Sequence, residues 1–310
     1  MLERFKGHIS VHAITWGQEH IKALEEASQL GYRAIEPWPT FALTYEGRET
    51  ELVELLDRYG LVMSGLYGGA SGEKGRKFSD PTKRVSIIDH NVRLARILAK
   101  CGAGHLIFGP GGPRERPTTL EELKIAASTI NEAAKRTFEL GVKACVHPHL
   151  WTELQDENEL DALMEYCDPD VVFFAPDSAH LTGAGMDPAA VVRRYKEKVA
   201  YVHLKDLMPK EARVEDFPML MGNEALPVFC ELGLGPVQFL PFMEELDAIG
   251  YDGWVTVEID KSTSTPFQSL QICRDYVERE LGIPIQGVPV TEDQRREPHE
   301  HAEERPANEC

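Results

Sequence analysis

Short β-rich runs alternate with longer amphipathic stretches about eight times along this chain, and that alternation constrains its fold more than any other feature. The first run is Ile9 to Thr15, and a helical pattern from Glu19 to Leu30 stops at Gly31. Ala34 to Glu36 follows, then a helix from Glu49 to Tyr59 closed by Gly60, glycine being a frequent helix terminator. Leu61 to Leu66 reads as the third strand. Val85, Ile88, Val92, Ala95 and Leu98 then recur at helical spacing, which predicts a long helix over Pro81 to Cys101. The next strand is His105 to Phe108. Its helix runs to Leu140 and is capped by Thr118 or Thr119, since Glu122 stands three residues after Thr119 as in a capping box. Val142 to Val146, Val171 to Ala175, Val199 to Leu204 and Trp254 to Ile259 are the remaining strands. Glu157 to Tyr166, Pro188 to Lys196, Pro236 to Ile249 and Pro266 to Leu281 are the helices after them.

Such alternation demands parallel strands, because each crossover helix returns the chain to the same end of the sheet. Eight units in 310 residues favour an α/β (β/α)8 TIM barrel. A doubly wound sheet for dinucleotides would want G-x-G-x-x-G after the first strand, and none is there. The barrel is expected to fill residues 1–285. The stretch 286–310 is rich in Glu, Arg, Pro and His and reads as an acidic, disordered tail, with His299 and His301 solvated rather than metal-bound. Met208 to Gly235 is too long for an ordinary loop and is expected to cover or shape the barrel mouth.

Charge and composition narrow the function. The formal net charge is −18, which repels nucleic acid and anionic membranes at long range. No run is apolar enough to span a bilayer, and Met1 to Gly7 has no signal-peptide character, so a cytoplasmic protein is expected. The six cysteines include no C-x-x-C pair. Buried free thiols are expected rather than disulfides or structural zinc.

In a barrel, chemistry gathers at the C-terminal ends of strands. Four consecutive ends here turn polar straight after an apolar run: His147-Pro-His149, Asp177 to His180, His203 to Asp206, and Glu258 followed by Asp260. Any one of them could be a hydrogen-bonded core residue. Together they aim two imidazoles and two carboxylates at one point. That donor mix suits Mn²⁺, Co²⁺, Fe²⁺ or Zn²⁺ better than Ca²⁺, and without a cation the carboxylates would resist ionisation. His12 and Glu36 lie at the ends of the first two strands and are candidates for substrate contact. Trp16 and Trp38 could wall a sugar ring or be plain core.

The segments Val146-His-Pro-His-Leu150, Asp177-x-x-His180, Tyr201-Val-His-Leu-Lys-Asp206 and Gly250-Tyr-Asp-Gly-Trp254 leading to Val257-Glu-Ile-Asp260 resemble the xylose-isomerase-like superfamily of sugar isomerases, epimerases and dehydratases. Within it they are most similar to the inosose dehydratase family. The resemblance runs from Val142 to Gly282 and closes on Tyr276-Val-Glu-Arg-Glu-Leu-Gly282. It implies that Asp177, His203 and Glu258 bind one divalent metal, with Mn²⁺ or Co²⁺ preferred over Mg²⁺, Fe²⁺ or Zn²⁺. His147 stands where most members carry glutamate and is assigned as the fourth ligand. His149, His180 and Lys205 are expected to do the proton and substrate work, and Asp206 to anchor a hydroxyl or orient a ligand. Two elements depart from the dehydratases: Ile14-Thr-Trp-Gly17 after the first strand, and Glu231-Leu-Gly-Leu-Gly235 in place of a Gly-Asp-Gly-like turn.

The expected activity is proton abstraction α to the carbonyl of a keto-sugar or inosose. Loss of a β hydroxyl then gives dehydration, and return of the proton elsewhere gives isomerisation or epimerisation. Two rivals remain: β-elimination from a 3-keto-glycoside, and a non-catalytic sugar-binding barrel. A small polyhydroxylated ketone is the expected partner, and self-association is left open.

Overall fold

The computed structural model describes residues 2, 5–70, 75–217 and 225–285. The strands are β1 (His8–His12), β2 (Ala34–Glu36), β3 (Val62–Met63), β4 (Leu66–Gly69), β5 (His105–Gly109), β6 (Lys143–Val146), β7 (Val172–Phe174), β8 (Tyr201–Leu204), β9 (Asp206–Leu207), β10 (Phe229–Cys230) and β11 (Trp254–Val257). The helices are α1 (His20–Gln29), α2 (Pro39–Leu43), α3 (Glu49–Arg58), α4 (Arg84–Lys100), α5 (Leu120–Phe138), α6 (Glu157–Tyr166), α7 (Ser178–Gly183), α8 (Pro188–Arg194), α9 (Phe239–Ala248) and α10 (Pro266–Tyr276).

Two parallel sheets, β3-β2-β1-β11-β8 and β4-β5-β6-β7, are arcs of one ring. On one side β3 and β4 are halves of a single extended segment, interrupted at Ser64 and Gly65. On the other, the parallel bridges Phe174–Val199 and Asp177–His203 join β7 to β8. This is the (β/α)8 arrangement the alternation predicts. Packing is tight at the interruption. A Cβ on Gly65 would lie 3.0 Å from the Tyr201 ring and 3.1 Å from the His105 carbonyl, so a larger residue there would crowd that ring.

Several boundaries differ from those expected. The first strand ends at His12 rather than Thr15, because the His12 Nδ1 accepts the Ile14 N–H at 2.9 Å and turns the chain into a 3-10 turn over Ala13–Trp16. The third strand extends to Gly69. The expected α4 stripe holds for Ile88, Ala95 and Leu98, which are buried, and for Val92, which packs against the core; Val85 is 70% exposed, and Ile87, Leu94 and Ile97 widen the buried face. Each such side chain contributes about 1.5–3 kcal/mol of burial. Thr119, not Thr118, caps α5, with the reciprocal Glu122 contact in place. Two short helices were not anticipated: α2, which has proline in its first turn, and α7, capped by Asp177. The segment after β8 is anchored at its base, where β10 pairs antiparallel with β9. The expected tail, with Cys310, lies outside the described residues, as do residues 218–224. Cys145, Cys167, Cys230 and Cys273 are buried free thiols and Cys101 is half-buried. Among the described residues no helix is long and apolar enough to cross a membrane.

Candidate metal centre

Each of the four strand ends delivers a donor whose second polar atom is already engaged. After β6, the His147 Nδ1 lies 3.2 Å from the Ala175 carbonyl. A carbonyl can only accept, so Nδ1 carries the hydrogen and Nε2 keeps its lone pair. After β7, one Asp177 oxygen accepts the N–H groups of Ala179 and His180 at 2.8 Å each, which fixes α7 and leaves Oδ2 over. On β8, the His203 Nε2 sits 2.8 Å from a Glu36 oxygen. After β11, the Glu258 Oε1 accepts from Lys205 Nζ at 2.9 Å.

The leftover atoms converge. Asp177 Oδ2, His203 Nδ1 and Glu258 Oε2 are buried without a hydrogen-bond partner, and ligand atoms of these three residues lie within 4.8 Å of one another. His203 Nδ1 and Glu258 Oε2 are 3.1 Å apart, close enough to attract but not aligned as a hydrogen bond. His147 joins Asp177 and His180 in a second, overlapping trio of the same compactness. Orphaned buried acceptors cost about 1–3 kcal/mol each. A divalent cation bound by mixed nitrogen and oxygen donors would satisfy them together, so the residues present fit a metal.

The charges argue the same way. Glu36, Asp177 and Glu258 are buried carboxylates, and Lys205 is a buried ammonium beside them. Burial pushes Asp177 up to about 6, against the pull of Lys205. Burial also disfavours Glu258 as an anion, but Lys205 and His203 outweigh it and hold that carboxyl well below its usual range. Burial lowers His203, yet Glu258 and Glu36 prevail and raise it to about 9.

His149 and His180 stand beside this cluster, ring centroids 3.6 Å apart. The His149 Nδ1–H donates to the Leu150 carbonyl at 2.7 Å, leaving the Nε2 lone pair available. Burial lowers its pKa to about 4, so it is neutral near pH 7. His180 is the opposite tautomer. Its Nδ1 accepts the Leu150 N–H at 3.4 Å, so Nε2 carries the hydrogen, 3.9 Å from Asp177 Oδ2. Lys205 Nζ also reaches Asp260 at 2.5 Å and lies 4.1 Å from the Phe229 ring centroid.

The other expected substrate contacts divide. His12 and Glu36 do face the cluster, with His12 Nε2 3.6 Å from Glu36 Oε1. Trp38 meets His12 edge-on at 6.2 Å. Trp16 does not serve as a wall: it is 3% exposed in the core, with its indole N–H on Glu26 at 2.5 Å. Asp206 is also corrected. Its carboxylate folds back and accepts the N–H groups of Leu207, Gly233, Gly235 and Val237 at 2.9–3.2 Å. That is how the Glu231–Gly235 turn is held. A Cβ on Gly235 would fall 2.0 Å from the Leu207 carbonyl, so this clasp needs glycine.

Sequence reasoning missed two residues. Glu153 is buried, and its carboxylate accepts the N–H groups of Phe78, Ser79 and Gly111 at 2.6, 3.1 and 3.2 Å, tying together the loops after β4, β5 and β6. Nothing local in Trp151-Thr-Glu153 signals partners 75 and 42 residues away. Trp151 is half exposed, has φ +63° and lies 6.3 Å from Phe229. Its available signal was only an aromatic residue directly after His147-Pro-His149-Leu150; the left-handed backbone, rare for a bulky residue, shows in the structure alone.

The chain belongs to the xylose isomerase-like TIM barrel family, whose model matches residues 24–276. Among curated relatives, it is 30% identical over 170 residues to the inosose dehydratase of Lacticaseibacillus casei, a match covering 54% of this chain and 57% of that enzyme, little more than half its length. It is 25% identical over 299 residues to the inosose dehydratase of Geobacillus kaustophilus, covering 87% and 94% of the two chains. Among solved structures, the IolI protein with a bound zinc atom matches with a TM-score of 0.70 at 16% identity, over 87% of this chain and 96% of that one. The probable 3-DHS dehydratase AsbF of Bacillus anthracis matches with a TM-score of 0.70 at 14% identity, over 88% and 99%.

Proposed function

We propose that this chain is a divalent-metal-dependent dehydratase of an inosose or related keto-sugar, beginning with removal of the proton α to the carbonyl. The observation that carries the reading is the set of orphaned buried donors on Asp177, His203 and Glu258, with His147 as fourth ligand. The inosose dehydratase relatives support the substrate class. Mn²⁺ or Co²⁺ is the preferred ion for this set.

When bound, the ion supplies Lewis-acid stabilisation of the charge that develops on the carbonyl oxygen. His149 takes the α proton on Nε2, held for it by the bond from Nδ1 to Leu150. His149, now an imidazolium, returns that proton to the departing β hydroxyl, which the neutral His180 orients by a hydrogen bond from Nε2–H. The C–H and C–O bonds break, a carbon–carbon double bond forms and water leaves. Lys205 holds Glu258 in place and presents its charge to a substrate oxygen. If the β hydroxyl stays and the proton returns to the other face, the same residues epimerise.

Elemental analysis of the purified protein beside an Asp177→Ala/Glu258→Ala variant tests the reading. About one Mn, Co, Fe or Zn per chain is expected, absent from the variant while its circular dichroism is unchanged. With metal present, an inosose should give an unsaturated ketone by ultraviolet absorption. A wild-type protein that takes up no metal, even after incubation with Mn²⁺ or Co²⁺, refutes it.

A further inference from the structure

Glu36 ends β2 in full burial, with Oε1 left without a hydrogen-bond partner. One oxygen, Oε2, accepts from His203 Nε2 at 2.8 Å and from the Tyr201 hydroxyl at 3.0 Å. The tyrosine is held in turn. Thr256 donates to its hydroxyl oxygen at 2.7 Å, Ser64 lies 2.9 Å from it, and Ser64 meets Ser10 at 2.7 Å. This hydroxyl chain runs through β1, the β3–β4 junction, β8 and β11, and every member is buried. It amounts to a sealed polar layer inside an otherwise apolar barrel. The bonds converging on Oε2 fix the carboxylate's position, as buried polar networks do.

The consequence falls on His203. A carboxylate only accepts, so Nε2 must carry the hydrogen and Nδ1 must keep its lone pair when the ring is neutral. Nδ1 is the atom left without a partner beside Glu258 and Asp177. We infer that Glu36 is a positioning residue: it selects the Nδ1-ligating tautomer of His203 and locks the ring's orientation toward the metal, with the Tyr201–Thr256–Ser64–Ser10 chain holding the carboxylate. A carboxylate–histidine–metal relay of this form raises ligand basicity, and its loss weakens metal affinity by about 10–100-fold. Glu36 therefore acts on the metal through His203. The inference rests on His203 being a metal ligand, as proposed above.

Two measurements test it, neither of which reads turnover. Zn²⁺ affinity by chelator competition is compared among wild type, Glu36→Gln and Tyr201→Phe. Glu36→Gln is expected to weaken binding about 10–100-fold, because glutamine's amide can donate to Nε2 and release the other tautomer. Tyr201→Phe keeps the carboxylate and is expected to change affinity only a few-fold. Unchanged affinity in Glu36→Gln overturns the inference. The second measurement needs no folded variant at Glu36: ¹⁵N NMR of histidine-labelled, Zn²⁺-loaded wild type, with His203 assigned by its loss in His203→Gln. Protonated Nε2 and metal-bound Nδ1 are expected, and the reverse pattern overturns the inference. Failure of wild type to bind Zn²⁺ at all would instead overturn the metal reading itself.

Discussion

The two arcs of the barrel mouth are built from opposite materials. Along β6, β7, β8 and β11 the strands end in His147, Asp177, His203 and Glu258, all buried, and the last three keep an unsatisfied atom. Along β4 and β5 they end in Gly69 and Gly109, and the loops beyond are tied to one another through backbone N–H groups on Glu153. On the first arc, carboxylates and imidazoles crowd until their charges shift. On the second, one carboxylate has its oxygens fully occupied by donors. A buried acid is therefore no guide to function by itself. What separates Asp177 from Glu153 is the oxygen left over.

This contrast can be broken by substitution, and the largest effect is expected on the first arc. His203→Ala should abolish stoichiometric metal uptake and lower turnover by on the order of a thousandfold or more, several kcal/mol of lost charge stabilisation, with the helical circular dichroism retained. Retention of metal would move the site elsewhere. His149→Gln should keep the metal while lowering kcat about 10²–10⁴-fold, as expected for loss of a general base. Steady-state kinetics on the metal-loaded variant decides this, and a drop confined to metal content would make His149 a ligand instead. On the second arc the readout reverses. Glu153→Gln sets an amide N–H₂ against backbone donors and should cost about 1.5–3 kcal/mol in urea unfolding, with metal content per chain unchanged.

Smaller effects sharpen the same division away from the mouth. The His105 Nδ1 is sealed without a partner, and burial lowers the folded pKa from 6.5 to about 3. Between those values the unfolded chain binds the extra proton. Stability should therefore fall as pH drops from 6.5 toward 3. The slope from this residue is at most about 1.4 kcal/mol per pH unit. His105→Phe should flatten the denaturation profile over that window, and an unaltered profile would place the acid sensitivity elsewhere. Thr119→Ala should cost only about 1 kcal/mol, the value of a helix cap, by the same denaturation measurement.

The division also explains what could be read from residues alone. The eight-fold alternation was legible because each strand and helix declares itself within a dozen residues. The polar strand ends were legible because His147, Asp177, His203 and Glu258 interrupt apolar runs. Interactions between distant segments were not. Glu36 reads as a strand-end carboxylate, and its partner His203 is 167 residues away. Asp206 carries the same local signature as Asp177, and only the backbone of Gly233, Gly235 and Val237 reveals that it clasps a turn. Trp16 could not be told from Trp38, because which indole meets His12 depends on how the chain turns after β1.

The Asp206 clasp carries a consequence for descent. The chain leaves the barrel at β9 and re-enters at β10, and these two ends are stapled together by strand pairing and by one carboxylate. Whatever lies between them hangs from a fixed doorway. Lengthening a flexible loop costs only about 0.6 kcal/mol per doubling. Insertions between Met208 and Val228 can thus accumulate across a lineage while the paired ends at β9 and β10 stay where they are.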